Sequence, residues 1–199
     1  MDWLNYITLQ KLIQAFKTSI GYIISITIKK TVVLGKPLSL TVEPTNICNL
    51  QCPECPTGNN SSTRAKGHLN FTDYTKMIDQ LSPYLLYHML YFQGEPFLNP
   101  DFFKMIKYAH DKKVYTCTST NGHFLTTKNA AKIIQSGLNK IIISVDGTQQ
   151  DVYEQYRKGG DLKKVISGIK TLSALKKEYH SITPKIIIQF LVFRFNQHK

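Results

Sequence analysis

The chain has 199 residues, which is enough for one good-sized domain and too few for two complete enzyme domains. Apolar residues make up 42% and charged residues 19% of the sequence, and these values exclude collagen-like, low-complexity and wholly disordered proteins. The sequence contains no run of 18 uncharged apolar residues, so we expect no transmembrane segment. Asp2 stands where a signal peptide would carry basic residues, and we therefore expect a cytoplasmic protein.

The net charge is +12, from 25 basic and 13 acidic residues. Such an excess can indicate nucleic-acid binding, but only Arg64, Arg157 and Arg194 carry the guanidinium fork that recognition of bases and phosphates favours. The lysines occur as scattered pairs and do not form a block. We therefore expect a solvated basic surface and no nucleic-acid partner, with an acidic partner or a membrane surface as the alternative.

Residues 1–34 are predicted to form an N-terminal helical extension. Apolar side chains recur there at helical spacing, and Lys11 and Lys17 lie off this apolar stripe. The stripe consists of Leu9, Leu12, Ile13, Phe16, Ile20 and Ile23. One interpretation is a helix that packs on the following domain. The other is a basic amphipathic helix that lies on a membrane or on a partner.

Residues 35–199 are predicted to form the main domain, in which five strands alternate with helices. The strands are nearly continuous apolar runs, at 38–42, 88–92, 114–118, 141–145 and 185–195. The helices start at Asn70 or Thr72, at Asp101, at Thr126 or Thr127 and at Lys163, and they end near Leu81, Asp111, Gly137 and Lys177. This alternation predicts an α/β fold with parallel pairing, and both an open doubly wound sheet and a barrel fit it.

Polar and turn-forming residues follow each of the first four predicted strands. They are a cysteine-rich loop, Gly94-Glu95-Pro96, Thr120-Asn121-Gly122 and the stretch from Ser144 to Gly147. Because the carboxyl ends of parallel strands meet at one edge of a sheet, we expect these four loops to lie close together. The sequence therefore predicts a functional site at that edge.

Cys48, Cys52 and Cys55 lie in the first of these loops with the spacing C-x3-C-x2-C. Three thiolates can bind three irons of a four-iron cluster and leave the fourth iron open to a substrate or cofactor. A zinc site is the alternative, and it would need a fourth ligand such as His68. Cys117 lies inside the third predicted strand, where we expect a small buried side chain and not a ligand.

The cysteine motif, followed in order by three further motifs, resembles the radical S-adenosylmethionine (SAM) superfamily. The further motifs are GEP at Gly94-Glu95-Pro96, TNG at Thr120-Asn121-Gly122, and Ser144-Val145-Asp146-Gly147 with Tyr153, Tyr156 and Arg157 downstream. The last motif is similar to a segment of peptide-modifying members that usually carry a C-terminal SPASM domain. The resemblance extends from the first strand to the end of the chain. It implies a partial TIM-type barrel with about five of the six β/α units of that family.

The resemblance also implies a function. It points to an enzyme that reductively cleaves SAM to a 5′-deoxyadenosyl radical and abstracts hydrogen from a substrate, for which a peptide or protein is the candidate. Reduced flavodoxin or ferredoxin would donate the electron. The resemblance assigns a [4Fe–4S] cluster to Cys48, Cys52 and Cys55, and no catalytic residue beyond these ligands. It assigns SAM binding to Gly94, Glu95, Pro96, Asn121, Ser144, Arg157 and, through its backbone, Glu54.

The sequence stops directly after the fifth predicted strand, without a sixth unit and without the cysteines of a SPASM domain. We therefore expect residues 35–199 to be a C-terminally incomplete core with an unpaired edge at strand five. An iron–sulfur-binding fragment without turnover is the alternative function, and an interaction protein that uses its basic surface on nucleic acid is a third.

Overall fold

The computed structural model describes residues 2–198, which contain a sheet of five parallel strands. The strands are β1 (Ser39–Thr41), β2 (Tyr87–Met89), β3 (Tyr115–Thr120), β4 (Lys140–Ser144) and β5 (Lys185–Gln189). They are hydrogen-bonded in chain order, whereas a doubly wound sheet reverses its strand order at a switch point. This order makes the α/β fold a partial TIM-type barrel, as the resemblance implied.

Six α-helices accompany the sheet within residues 2–198. They are α1 (Leu9–Ile28), α2 (Phe71–Leu81), α3 (Phe102–Asp111), α4 (Thr127–Gln135), α5 (Gln150–Tyr156) and α6 (Leu162–Glu178). A helix follows each of the first four strands, and α2, α3, α4 and α6 pack on one another in that order. Between these helices and the sheet lies an apolar core that includes Ile78, Ile106, Ile133, Ile141 and Val165.

Side-chain caps start two of the helices at positions that the sequence predicted. Asn70 Oδ1 accepts a hydrogen bond from the backbone N–H of Thr72 at 2.8 Å, and Thr126 Oγ1 accepts one from the N–H of Asn129 at 3.3 Å. Gly137 follows α4 with φ of 75°, a conformation that glycine adopts without the steric cost of a Cβ. Local sequence signals therefore set these boundaries.

The fifth strand is shorter than predicted. It ends at Gln189 and not at residue 195, because the backbone N–H of Leu191 donates to the buried Asp146 Oδ1 at 2.8 Å. Asn196 Nδ2 donates to the carbonyl oxygens of Asp146 at 2.9 Å and of Leu191 at 2.8 Å. These bonds turn residues 190–196 toward the loop that follows β4. The short helix α5 was not predicted, and its start has no side-chain cap.

The segment before α1 packs against the amino ends of β3 and β4. The buried Tyr6 hydroxyl accepts a hydrogen bond from Asn139 Nδ2 at 2.7 Å, and Asn139 Oδ1 accepts one from the N–H of Thr116 at 2.9 Å. Lys11 Nζ donates to the carbonyl oxygens of Tyr6, at 3.1 Å, and of Lys113. Burial lowers the pKa of Lys11 to about 8. The N-terminal segment is thus attached at the edge of the sheet opposite the carboxyl ends of the strands.

Most of the apolar stripe of α1 does not face the domain. Leu9, Phe16 and Ile23 are 75%, 66% and 57% exposed, whereas Lys11 and Gly21 are buried. The helix contacts the domain through Lys11 and, at the border of the stripe, through Leu12, which lines a cavity with Tyr87 and Tyr115. Within residues 2–198, every helix is too short or too polar to cross a membrane.

His88 is a buried polar residue of β2 with two hydrogen bonds. Its Nδ1 lies 3.0 Å from the Leu40 carbonyl oxygen, which can only accept, so Nδ1 carries the proton. Its Nε2 then accepts from the Tyr74 hydroxyl at 3.1 Å. Burial lowers the pKa of His88 to about 4, although the Leu40 carbonyl acts in the opposite direction.

We predict that this histidine makes the fold sensitive to acid. The unfolded chain, with a histidine pKa near 6.5, binds more protons than the folded chain between pH 6.5 and 4. The free energy of unfolding is therefore undiminished by His88 above pH 6.5, and it falls by up to about 3 kcal/mol between pH 6.5 and pH 4. Urea unfolding across this range should show a shallower pH dependence for His88→Gln than for the wild type. The exposed His198→Gln variant is the control, and equal slopes for all three proteins would contradict the assignment.

Candidate functional site

A cavity of about 380 Å³ opens at the carboxyl edge of the sheet, as the sequence predicted. It is formed by the loops after β1, β2 and β3, by the end of β4 and by residues that follow α5. Its lining contains nine of the ten predicted site residues, namely Cys48, Cys52, Glu54, Cys55, Gly94, Glu95, Asn121, Ser144 and Arg157. The tenth, Pro96, is buried beside it and begins the 3₁₀ helix Pro96–Leu98.

The cysteine loop is tightly folded around its three free thiols. The backbone N–H of Cys55 donates to the carbonyl oxygen of Cys52 at 3.2 Å, and the N–H of Leu50 donates to Cys48 Sγ at 3.4 Å. Gly58 lies against this turn, where a Cβ would stand 2.6 Å from both the nitrogen and the oxygen of the Cys52 backbone. Only glycine fits that position, so the packing of the loop fixes where the thiols point.

Two neighbouring side chains approach the thiols. Arg157 Nη1 lies 3.8 Å from Cys52 Sγ, and Asn121 Nδ2 lies 3.9 Å from Cys48 Sγ. Burial raises the pKa of the Cys48 and Cys52 thiols, and for Cys52 the Arg157 guanidinium opposes this rise. Cys117 is fully buried in β3 and is not part of the cavity lining, which agrees with its predicted role as a core residue.

The donor set suits a multi-iron cluster better than a single ion. Among residues 2–198, no three His, Cys, Asp or Glu side chains are grouped closely enough to hold one metal ion. The predicted alternative zinc ligand, His68, is exposed and is not part of the cavity lining. Three soft thiol donors that line one cavity match a cluster whose irons each take one thiolate.

Glu95 connects the loop after β2 to the loops on both sides. Its backbone N–H donates to the carbonyl oxygen of Ile47 at 2.8 Å, next to the first cysteine. Its carboxylate accepts from Thr120 Oγ1 and from the N–H of Asn121, both at 2.8 Å, and from the N–H of Phe97 at 3.3 Å. Burial raises the pKa of Glu95 to about 7, and the hydrogen bonds from Asn121, Thr120 and Phe97 act against that rise.

Asn121 closes the contact between the third loop and the cysteine loop. Its Nδ2 donates to Asn49 Oδ1 at 2.8 Å, and its Oδ1 accepts from the backbone N–H of His123 at 3.1 Å. The amide is therefore held in one orientation beside Cys48. Ser144 ends β4 with its side chain nearly buried at the cavity wall.

Arg157 is positioned by a carboxylate whose role the sequence analysis did not identify. Arg157 Nε donates to Asp146 Oδ2 at 2.5 Å, and Asp146 is fully buried. The other oxygen of this carboxylate accepts a hydrogen bond from the backbone N–H of Leu191, just beyond the end of β5. Asp146 was visible as the acidic residue of the Ser144-Val145-Asp146-Gly147 stretch, but the sequence did not show which side chain it meets.

A second carboxylate, that of Glu43, was missed altogether. Its Oε1 accepts from the backbone N–H groups of Gln93 at 2.9 Å and Gly94 at 3.3 Å. Its Oε2 accepts from Arg64 Nη1 at 2.5 Å, and this guanidinium also donates to Gln93 Oε1 at 3.1 Å. Glu43 therefore helps to hold Gly94 close to the backbone of Thr45. A Cβ on residue 94 would stand 1.9 Å from the Thr45 carbonyl oxygen, so only glycine fits there.

Two curated relatives are similar to this chain over most of its length. Mycofactocin maturase MftC of Mycobacterium ulcerans is 30% identical over 141 residues, which are 71% of this chain and 38% of that protein. The PqqA peptide cyclase of Bradyrhizobium diazoefficiens is 26% identical over 121 residues, which are 61% of this chain and 32% of that protein. The chain thus spans less than two fifths of the length of either relative.

The chain is also similar to a solved structure and to the sequence profile of a protein family. The structure of Streptococcus suis SuiB bound to its precursor peptide SuiA superposes with a TM-score of 0.63 at 17% identity, covering 78% of this chain and 33% of SuiB. At that identity the likeness shows the fold. The sequence profile of the Radical SAM superfamily matches residues 42–187, which is more than half of the chain and includes every predicted site residue. This chain belongs to the radical SAM superfamily.

Proposed function

We propose that this chain is the core of a radical SAM enzyme that acts on a peptide or protein. Members of the family use a [4Fe–4S] cluster together with SAM. The observation that carries the proposal is the convergence of three free thiols with Glu95 and Arg157 on one cavity. In this proposal residues 35–199 form the core, and residues 1–34 are an N-terminal helical extension.

The cluster would be held by Cys48, Cys52 and Cys55. Their three thiolates would bind three irons and would leave one iron for the amino and carboxylate groups of SAM. The cluster would supply the electron for reductive cleavage of SAM to a 5′-deoxyadenosyl radical, and this radical would abstract hydrogen from the substrate. The protein contributes binding, orientation and exclusion of water.

The SAM contacts would come from both sides of the cluster. The two oxygens of the Glu95 carboxylate can accept about four hydrogen bonds, and three are accepted from the protein. The remaining acceptor site would bind the amino group of SAM. Arg157 Nε donates to Asp146, and Arg157 Nη1 lies near Cys52 Sγ. The other N–H groups of the guanidinium would donate to the carboxylate of SAM. Gly94, Pro96, Asn121, Ser144 and the backbone of Glu54 would complete the site.

The peptide substrate is supported by the relatives. One of them is a PqqA peptide cyclase, and SuiB was solved with its precursor peptide. Reduced flavodoxin or ferredoxin is the proposed electron donor. The free state of all four cysteines fits the cytoplasm, where thiols stay reduced.

Our first functional prediction concerns the cluster ligands. After anaerobic reconstitution, the wild type should bind about four irons and four sulfides, as a cubane requires. Cys48→Ala, Cys52→Ala and Cys55→Ala should each lose the cluster, measured by iron and sulfide content and by visible absorption. Cys117→Ala is the matched control and should retain it. Loss of iron only in the Cys117 variant would refute the ligand assignment.

The second prediction concerns SAM binding. Glu95→Gln replaces an acceptor oxygen by an NH₂ that opposes the Asn121 N–H, and Arg157→Lys removes the guanidinium fork. Each should weaken SAM by roughly 10- to 150-fold, the effect of losing a charge-assisted bond of about 1.5–3 kcal/mol. Titration of SAM into the reduced, reconstituted protein, followed by electron paramagnetic resonance, measures the affinity.

Glu54→Gln serves as the control for these titrations. Only the backbone of Glu54 is assigned to SAM, so this variant should bind SAM as the wild type does, and all three variants should keep their iron. If the Glu95 and Arg157 variants retain wild-type affinity, both residues are structural and the SAM site lies elsewhere.

The third prediction separates an enzyme from a binding fragment. The dithionite-reduced chain should convert SAM to 5′-deoxyadenosine and methionine, which chromatography detects, and Cys52→Ala should not. A chain that keeps its cluster and binds SAM but yields no 5′-deoxyadenosine would be an iron–sulfur-binding fragment without turnover.

A further inference from the structure

The outward face of α1 is the largest apolar feature of the N-terminal segment. Apolar side chains recur every three or four residues from Leu9 to Ile23, so they form one face. Leu12 lies at its border and lines a cavity with Tyr87 and Tyr115 of the domain. The exposed members that line no such cavity are Leu9, Ile13, Phe16 and Ile23. We call these four residues the α1 apolar face. A continuous exposed apolar surface of this kind marks an interaction site.

The opposite side of α1 is small and polar, and this is the side that packs. Gly21 lies against residues 32–34, where a Cβ would stand 2.9 Å from the Val32 carbonyl oxygen. Ser25 Oγ accepts from the Val32 N–H at 2.9 Å, and Gln14 Oε1 accepts from the Lys36 N–H at 3.0 Å. The helix is therefore held in place by its polar side, with its apolar face directed away from the domain. This is the reverse of an ordinary surface helix.

The charge around α1 has one sign. From residue 3 to residue 42 the sequence contains five lysines and no aspartate or glutamate. Lys11 is buried, and the four exposed ones are Lys17, Lys29, Lys30 and Lys36. Two of them follow the last turn of the helix directly. The exposed charge of this stretch of the N-terminal segment is thus entirely positive.

We propose that α1 lies in the plane of an anionic phospholipid bilayer, with its apolar face among the acyl chains and its lysines at the headgroups. Apolar burial together with lysine attraction is the combination that holds interfacial helices on membranes. A second copy of this chain fits less well. Pairing through the same face would bring the exposed lysines of both copies together, and the segment offers no carboxylate to neutralise them.

The attachment of α1 leaves the cofactor cavity accessible. Tyr6 and Lys11 bind the amino ends of β3 and β4, while the cavity opens at the carboxyl edge of the sheet. A bilayer on α1 would therefore not cover the cavity. The proposal concerns a surface that is separate from the cysteine loop, so it does not depend on the proposed function.

The test is binding of the full chain to lipid vesicles. Vesicles of phosphatidylglycerol and phosphatidylcholine in equal parts are compared with phosphatidylcholine alone, by flotation at low salt. We expect binding to the anionic vesicles and little to the neutral ones. Phe16→Ser with Ile23→Ser should weaken binding at least about tenfold, because two apolar side chains no longer enter the bilayer. Lys29→Gln with Lys30→Gln should weaken it about 30-fold.

Matched variants elsewhere on the surface are the controls. Ile182→Ser removes an apolar side chain that is 78% exposed, and Lys163→Gln with Lys164→Gln removes a lysine pair on α6. Both should bind vesicles as the wild type does, and all variants should show the same circular dichroism. The proposal would be overturned if both α1 double variants bound anionic vesicles as tightly as the wild type, or if the wild type did not bind them. A dimer in light scattering that the Phe16 and Ile23 variant converts to a monomer would overturn it as well.

Discussion

The buried Glu95 carboxylate makes the hydrogen bonds on which the shape of the cavity at the carboxyl edge of the sheet depends. It accepts hydrogen bonds from the loop after β3, and the backbone N–H of the same residue binds the cysteine loop. Three loops that are far apart in the sequence are thereby held at fixed distances from one another. Burial of a carboxylate is costly, and it raises the pKa of Glu95 to about 7 even with three donors around it. This buried group lies where it connects the loops that form the cavity.

The Asp146 carboxylate has a comparable effect on the other side of the cavity. It binds the Arg157 guanidinium with one oxygen and the Leu191 N–H with the other. The position of Arg157 beside Cys52 is thus coupled to the path of the chain after β5. A change in residues 190–196 would reach the cavity through this side chain and through Phe193, whose ring packs on that of Tyr156 in the cavity lining.

The sequence was sufficient to predict the strand–helix alternation, two helix caps and nine of the residues that line the cavity. These features follow from local patterns, such as periodicity, capping residues and short motifs at strand ends. The strand–helix alternation alone could not distinguish a barrel from a doubly wound sheet, because strand order is set by contacts between distant elements, and the resemblance supplied the partial barrel that the structure confirms. Glu43 was missed for a similar reason, since this side chain binds backbone N–H groups fifty residues away, which have no signature in the sequence. Periodicity likewise identified the apolar face of α1 but not the direction in which it points.

The hydrogen bonds of Tyr6 and Lys11 bear on where this domain begins. The family profile starts at residue 42, so the residues before it look like an addition to the conserved core. Yet Tyr6 satisfies the amide of Asn139, and Lys11 satisfies the carbonyl of Lys113, both at the floor of the sheet. A chain cut at residue 35 would lose these hydrogen bonds, and it would lose Tyr6 and Leu12 from the cavity that they line with Tyr87 and Tyr115. Residues that precede the profile match therefore take part in the packing at the amino edge of the sheet, and a boundary drawn from sequence similarity would remove them.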